Sequence, residues 1–117
     1  MSNATTPDLR IRPPRRGREM LGGYAFLARV IDKIQAAHAG TNGEYVGYCP
    51  MSLAFLQTAG VSREAFDGVI ARGAGDEEIV AYFDAHVSPE KREAANKHIL
   101  EDFADHLDEQ DAEEQAS

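Results

Sequence analysis

Apolar residues in this chain recur at spacings of three and four, the period of an α-helix, and no long segment alternates as a half-buried β-strand does. The clearest stripe is formed by Met20, Tyr24, Leu27, Ile31, Ile34 and His38. Gly40 follows this stripe and is suited to the left-handed conformation that often ends a helix. The sequence therefore predicts an all-α fold whose first helix runs from about Arg18 to Ala39.

Four further helices are predicted from their start and stop signals. Proline or a capping side chain stands at each start, and glycine follows several of the ends. These helices cover residues 51–59, 63–72, 77–86 and 89–108. An extended, glycine-bounded loop joins the first two helices, and we call residues 40–49 the connector. A chain of 117 residues has room for one core, so we predict a single bundle of about five helices.

Charge is concentrated at the two ends of the chain. Residues 10–18, which we call the arginine arm, contain five arginines and no acid, whereas residues 101–117 contain eight acids and no lysine or arginine. We predict a disordered N-terminus over residues 1–9 and one helical domain over residues 10–108, which includes the arm. Residues 109–117 are predicted to be a disordered acidic tail that contributes little to stability.

Composition excludes several classes of protein. A net charge of −8 argues against a nucleic-acid-binding protein, and no run of 18 apolar residues is present to span a membrane. The N-terminus has no apolar stretch typical of a secretory signal, so we expect a cytoplasmic protein. The single cysteine, Cys49, excludes an internal disulfide and a multi-cysteine metal site. We expect no cofactor.

Four stretches of the sequence together resemble a known family. They are Asp8-Leu9 with Arg12-Pro13-Pro14-Arg15; Leu21-Gly22-Gly23-Tyr24 with Leu27-Ala28-Arg29 and Ile31-Asp32-Lys33; Gly40-Thr41-Asn42-Gly43-Glu44-Tyr45 with Cys49-Pro50, Phe55-Leu56 and Gly60-Val61; and Gly75-Asp76-Glu77-Glu78-Ile79. From Asp8 to about Val87 the chain resembles the bacterial family called domain of unknown function 5069. The resemblance implies a small, largely helical bacterial protein, and it implies no activity.

Cys49 is the candidate catalytic residue. Pro50 suits the first position of the second helix, which places Cys49 at its N-cap, where the helix dipole and free N–H groups favour a thiolate. His38, at the end of the first helix, is a candidate base for this thiol. The alternative is that Cys49 is a small buried apolar residue, as free cysteines commonly are.

The densest polar group is a candidate ligand-binding cluster. It comprises Tyr24, Arg29, Asp32, Lys33, Glu44 and Tyr45. Arg29 and Lys33 are neighbours on one helix face because they are four residues apart, and the connector brings Glu44 to them. The cluster predicts either a pocket for an anionic or amphipathic ligand or, the simpler interpretation, an ion-pair network that holds the connector on the first helix.

Three other patterns favour a structural interpretation. His98, Asp102 and His106 have the spacing of metal ligands on one helix, but they also border an apolar stripe where polar residues belong, so we predict no metal site. Residues 55–70 resemble a helix-turn-helix, yet the charges of the second helix sum to zero. The arginine arm could bind nucleic acid or a membrane, but pairing with acidic helices of this or a neighbouring molecule is favoured.

The sequence thus favours a non-enzymatic module that binds a protein partner or a small molecule, and a second copy of the chain is one candidate partner. The alternative is a small thiol or acid–base enzyme centred on Cys49 and Glu44.

Overall fold

A computed structural model describes residues 6–116, which form an all-α domain as predicted. The helices are α1 (Leu27–Ala39), α2 (Pro50–Ala59), α3 (Arg63–Ala71), α4 (Asp76–His86), α5 (Pro89–Lys97) and α6 (Ala104–Ala116), with a π-helical turn (His98–Asp102) between the last two. The described part of the chain thus has six α-helices rather than about five. None of these helices is both long and apolar enough to cross a membrane.

A group of aromatic rings forms the centre of the core. Phe83 of α4 contacts the rings of Tyr24, Phe55 and Phe66, with ring centroids 5.3, 6.2 and 6.1 Å apart. All four side chains are at most 1% exposed. Burying each such side chain contributes about 1.5–3 kcal/mol, so this group joins α2, α3 and α4 to the segment that precedes α1.

Helix α1 begins at Leu27, not at Arg18 as the apolar stripe predicts. The residues before it turn back on themselves, because Gly22, Gly23 and Phe26 all have left-handed backbone angles, with φ of 59°, 88° and 73°. A Cβ atom at Gly22 would lie 2.4 Å from Cγ1 of Val80, so the backbone there packs directly on α4. Because of this contact between segments distant in sequence, the residues before Leu27 do not form the helix that the local apolar pattern predicts.

The last predicted helix, residues 89–108, is interrupted by the π-helical turn. Its apolar stripe has a strict spacing of four residues, which drifts by about 40° per step around a regular α-helix. A π turn takes up one extra residue and cancels most of that drift. As a result Ala95, Ile99 and Leu107 are all fully buried, on both sides of the turn.

The C-terminal residues differ from the predicted disordered tail, since α6 continues through Ala116. Arg18 of the arginine arm binds Asp108 and Asp111 of α6 at 2.8 and 3.2 Å, and Arg16 lies 3.5 Å from Asp111. The arm thus neutralises acids that would otherwise repel one another along α6. The favoured pairing of arm and acidic helix occurs here within one molecule.

Part of the predicted disordered N-terminus is also packed. Leu9 is 5% exposed, and its backbone N–H donates to the carbonyl oxygen of Thr41 at 2.8 Å. Residues 1–5 and residue 117 of the two predicted disordered segments lie outside the described residues.

Candidate functional site

The connector and α6 enclose a cavity of about 420 Å³ against α1. We call it the connector pocket. Five residues that the sequence singled out line it, namely Arg29, Lys33, Glu44, Tyr45 and Cys49. The remaining lining residues are Val46 of the connector and Gln110, Glu113 and Glu114 of α6.

Lys33 and Cys49 are in contact in the lining of the pocket. Cys49 is the N-cap of α2, as predicted, and its Sγ accepts the backbone N–H of Ser52 at 3.4 Å. Lys33 is only 4% exposed, and its Nζ donates to Cys49 Sγ at 3.2 Å and to Ser52 Oγ at 3.4 Å. The Ser52 hydroxyl lies 3.3 Å from the same sulfur. The sulfur is therefore surrounded by donors, a setting that favours its anionic form.

These contacts change the pKa values of both groups. Burial raises the pKa of the Cys49 thiol, but the hydrogen bonds from Ser52 and the charge of Lys33 outweigh burial and lower this pKa to about 7. Burial lowers the pKa of Lys33, and the nearby sulfur opposes that effect. At neutral pH a substantial fraction of Cys49 is therefore thiolate.

Arg29 and Tyr45, which line the same pocket, hold a carboxylate. Arg29 Nη1 donates to Glu114 Oε1 at 3.0 Å, Nη2 donates to Oε2, and the hydroxyl of Tyr45 donates to Oε2 at 3.3 Å. The Arg29 and Glu114 side chains are only 3% and 7% exposed. Burial and the charge of Glu114 raise the pKa of Tyr45, which keeps its hydroxyl a donor. The two parallel hydrogen bonds from Arg29 are the bidentate arrangement by which arginine commonly binds carboxylates.

Two polar atoms of the pocket-lining residues are buried without a hydrogen-bond partner among residues 6–116. They are Nε of Arg29, a donor, and Oε1 of Gln110, an acceptor. Buried polar atoms are usually paired, and an unpaired one costs about 1–3 kcal/mol.

Asp32 and Tyr24 lie outside the connector pocket. Asp32 accepts the backbone N–H of Arg15 at 2.8 Å and pairs with its guanidinium, which also binds Asp76 of α4 at 2.8 Å. Asp32 thereby fixes the arginine arm, beside a separate cavity of about 770 Å³. Tyr24 is fully buried in the aromatic core against Phe83, where burial raises its pKa.

His38 contacts α3 instead of the thiol. Its Nε2 lies 3.2 Å from Asp67 Oδ1, and the hydroxyl of Tyr48 donates to that same oxygen at 2.7 Å. Lys33, nearly two turns before the end of α1, takes the place next to Cys49 that the sequence assigned to His38. Glu44 lines the pocket from an exposed position on the connector.

Sequence reasoning missed Ser52, Gln110 and Glu114. A signal for Ser52 was present, because the third residue after an N-cap places its N–H at the cap. Glu114 had no such signal, since α6 carries almost no apolar stripe and buries Leu107 as its one apolar side chain among the described residues of that helix.

His98, Asp102 and His106, which have the spacing of metal ligands in the sequence, do not form one group in the structure. His98 Nδ1 lies 2.6 Å from Asp102 Oδ2, whereas the ring of His106 packs against Phe103 with centroids 5.6 Å apart. Within residues 6–116, no three His, Cys, Asp or Glu side chains are grouped as metal ligands would be.

Comparison with known proteins agrees with the resemblance found in the sequence. A search of curated proteins finds no match. The family described as Domain of unknown function (DUF5069) matches residues 11–117, which include every residue of the connector pocket and nearly all of the fold. The chain therefore belongs to the DUF5069 family.

Proposed function

We propose that the protein is a small-molecule-binding module whose ligand carries a carboxylate and occupies the connector pocket. The proposal rests on the hydrogen bonds that Arg29 and Tyr45 donate to the carboxylate of Glu114. A side chain from the last turns of the chain stands where the acid group of a free ligand would stand. Glu114 is thus an internal occupant that a ligand must displace.

The dimensions and chemistry of the pocket support a ligand larger than this one carboxylate. Its volume of about 420 Å³ lies within the range of roughly 300–1,000 Å³ that is usual for ligand sites. Arg29 and Gln110, which line the pocket, also carry a donor (Nε) and an acceptor (Oε1) that are buried without a hydrogen-bond partner among residues 6–116. Arg29 and Lys33 supply positive charge for an anion, and the carboxylates that remain in the lining once Glu114 is displaced are Glu44 and Glu113.

Chemical rescue with acetate tests this proposal. Glu114→Ala removes the internal carboxylate and leaves space for acetate between Arg29 and Tyr45. We expect acetate to stabilise this variant by about 1.4 kcal/mol at roughly ten times its Kd, and acetamide to have no comparable effect. Wild-type protein should bind acetate more weakly, because Glu114 competes. Thermal unfolding and NMR titration at constant ionic strength measure both effects.

Two controls identify the binding position. Glu109→Ala, at an exposed position of the same helix outside the pocket lining, should leave acetate affinity at the wild-type value. Arg29→Gln combined with Glu114→Ala should abolish the preference for acetate over acetamide. Equal effects of acetate and acetamide would contradict the proposal. Binding to Glu114→Ala with none to the wild type would also contradict it, and would leave Glu114 a purely structural partner.

A further inference from the structure

We propose that Cys49 is a nucleophile that forms a thioether with an electrophilic carboxylate bound in the connector pocket. The preference for a carboxylate rests on the function proposed above, whereas the nucleophilic role of Cys49 rests on a separate set of contacts. The natural ligand class is an α,β-unsaturated carboxylate.

The thiol and the carboxylate-binding residues share one wall of the pocket. Cys49 is half-buried and lines the cavity, so its sulfur can be reached from within it. Lys33, which donates to this sulfur at 3.2 Å, is four residues after Arg29 and therefore lies one helical turn from it. We place the acid group of the ligand on Arg29, so that its next carbon atoms extend along that turn toward Cys49.

The surroundings of the sulfur support its reactivity. Lys33 is more than nine-tenths buried, and its ammonium group donates hydrogen bonds to Cys49 Sγ and Ser52 Oγ. The pKa of Cys49 is lowered to about 7, so thiolate is available at neutral pH. The other charged groups that face the pocket are Arg29 on α1, Glu44 on the connector, and Glu113 and Glu114 on α6.

The reaction needs no further reagent. A lone pair of the Cys49 thiolate forms the S–C bond at the β-carbon, and the π electron pair moves to the α-carbon. The α-carbon takes a proton from the Lys33 ammonium, which burial makes a better acid by lowering its pKa. Lys33 then regains a proton from water. The thiolate and the alkene are consumed, and a thioether is formed.

Alkylation with iodoacetate and iodoacetamide tests this inference. Each reagent forms one S–C bond with release of iodide, and the single cysteine ensures one adduct per chain, which mass spectrometry counts. The ratio of the iodoacetate rate to the iodoacetamide rate is measured for folded protein and divided by the same ratio for urea-unfolded protein. We expect this quotient to be at least about ten for Glu114→Ala, equivalent to about 1.4 kcal/mol, and smaller for the wild type.

Protection by acetate is a second measurement, and it uses variants in which Arg29 is unchanged. Acetate, but not acetamide, should slow the reaction of Glu114→Ala with iodoacetamide. Lys33→Met should shift the pH at which the alkylation rate is half-maximal upward from about 7, and Lys33→Arg should restore most of it. Lys97→Met, at an exposed lysine on α5, is the matched control and should behave as wild type.

The outcomes separate the two proposals. If the folded thiol reacts more slowly than the unfolded thiol with both reagents at pH 7, the nucleophilic role of Cys49 is wrong, even if acetate binds. If the folded thiol reacts rapidly but shows no preference for iodoacetate and no protection by acetate, carboxylate recognition fails, and the function proposed above fails with it.

Discussion

Three charged side chains of α1 are buried, and each one binds a different segment of the chain. Arg29 is 2% exposed and binds Glu114 of α6, while Lys33 is 4% exposed and binds the start of α2 through Cys49. Asp32 is 8% exposed and binds the arginine arm. A buried charge is costly unless it is paired, so these partners are required by the burial itself. The sequence shows the charged cluster, but it does not show which partner each member takes.

The Lys33–Cys49 pair makes stability depend on pH. The folded pKa of Cys49 is about 7 and its ordinary value is 9.0, so between these values the unfolded chain binds more protons than the folded one. The free energy of unfolding should therefore rise from pH 7 to pH 9, and it should lose this contribution as the pH falls through 7. Because the thiol is only half-buried, we expect a rise of about 1 kcal/mol.

Urea unfolding at pH 7 and pH 9 measures this rise. The control is the double variant Lys33→Met/Cys49→Ser, which removes both titrating groups of the pair. An equal rise in wild type and double variant would assign the pH dependence to other residues.

Among the helices, those with local boundary signals are the predictable ones. Helices α2, α3 and α4 lie within one residue of the predicted bounds, because Pro50 and Ser62 mark starts and Gly60 ends a helix through local backbone chemistry. The start of α1 and the division of α5 from α6 could not be predicted in this way. They depend on contacts between distant segments, as does the approach of α6 to the connector pocket.

Two glycines test how far such contacts determine the fold. Gly22 has a φ of 59°, and an added Cβ would lie 2.4 Å from Val80 Cγ1, so Gly22→Ala should lower the free energy of unfolding by about 2–3 kcal/mol. Gly68 lies inside α3 with no neighbouring atom within 4 Å of an added Cβ, so Gly68→Ala should raise stability by about 0.5–1 kcal/mol. Chemical denaturation gives both values, and effects of the same sign would contradict the assignment.

At the scale of the whole molecule, the two ends of the chain meet. The arginine arm binds the acidic face of α6 through Arg16 and Arg18, and α6 in turn closes the connector pocket through Glu114. Opposite charges that are more than 80 residues apart in sequence thus lie together, as in the pair Arg18–Asp108. Considered alone, residues 109–117 have the composition of a solvated tail, which explains why the sequence predicts disorder there.

Deletion of residues 110–117 should destabilise the protein, contrary to the expectation from the sequence. The exposed pairs of Arg18 contribute little, but the deletion removes the carboxylate that pairs with the buried Arg29, a loss that costs about 3–5 kcal/mol where the remaining charge stays buried. Urea unfolding should therefore show a loss of about 3 kcal/mol, and Glu114→Ala alone should reproduce most of it. A loss below about 1 kcal/mol would show that α6 is not firmly docked.

The π-helical turn His98–Asp102 takes up one residue more than an ordinary α-helical turn. The number of residues before α6 therefore determines how that helix is rotated about its axis. If one residue were removed there, the backbone could wind as an ordinary α-helix, and everything after it would rotate by about 100° and advance by about 1.5 Å less. Glu114 would then point away from Arg29, although no residue of the pocket itself had changed. The rotation of the last helix, and with it the presence of Glu114 beside Arg29, thus depends on the number of residues in a turn that lies outside the pocket.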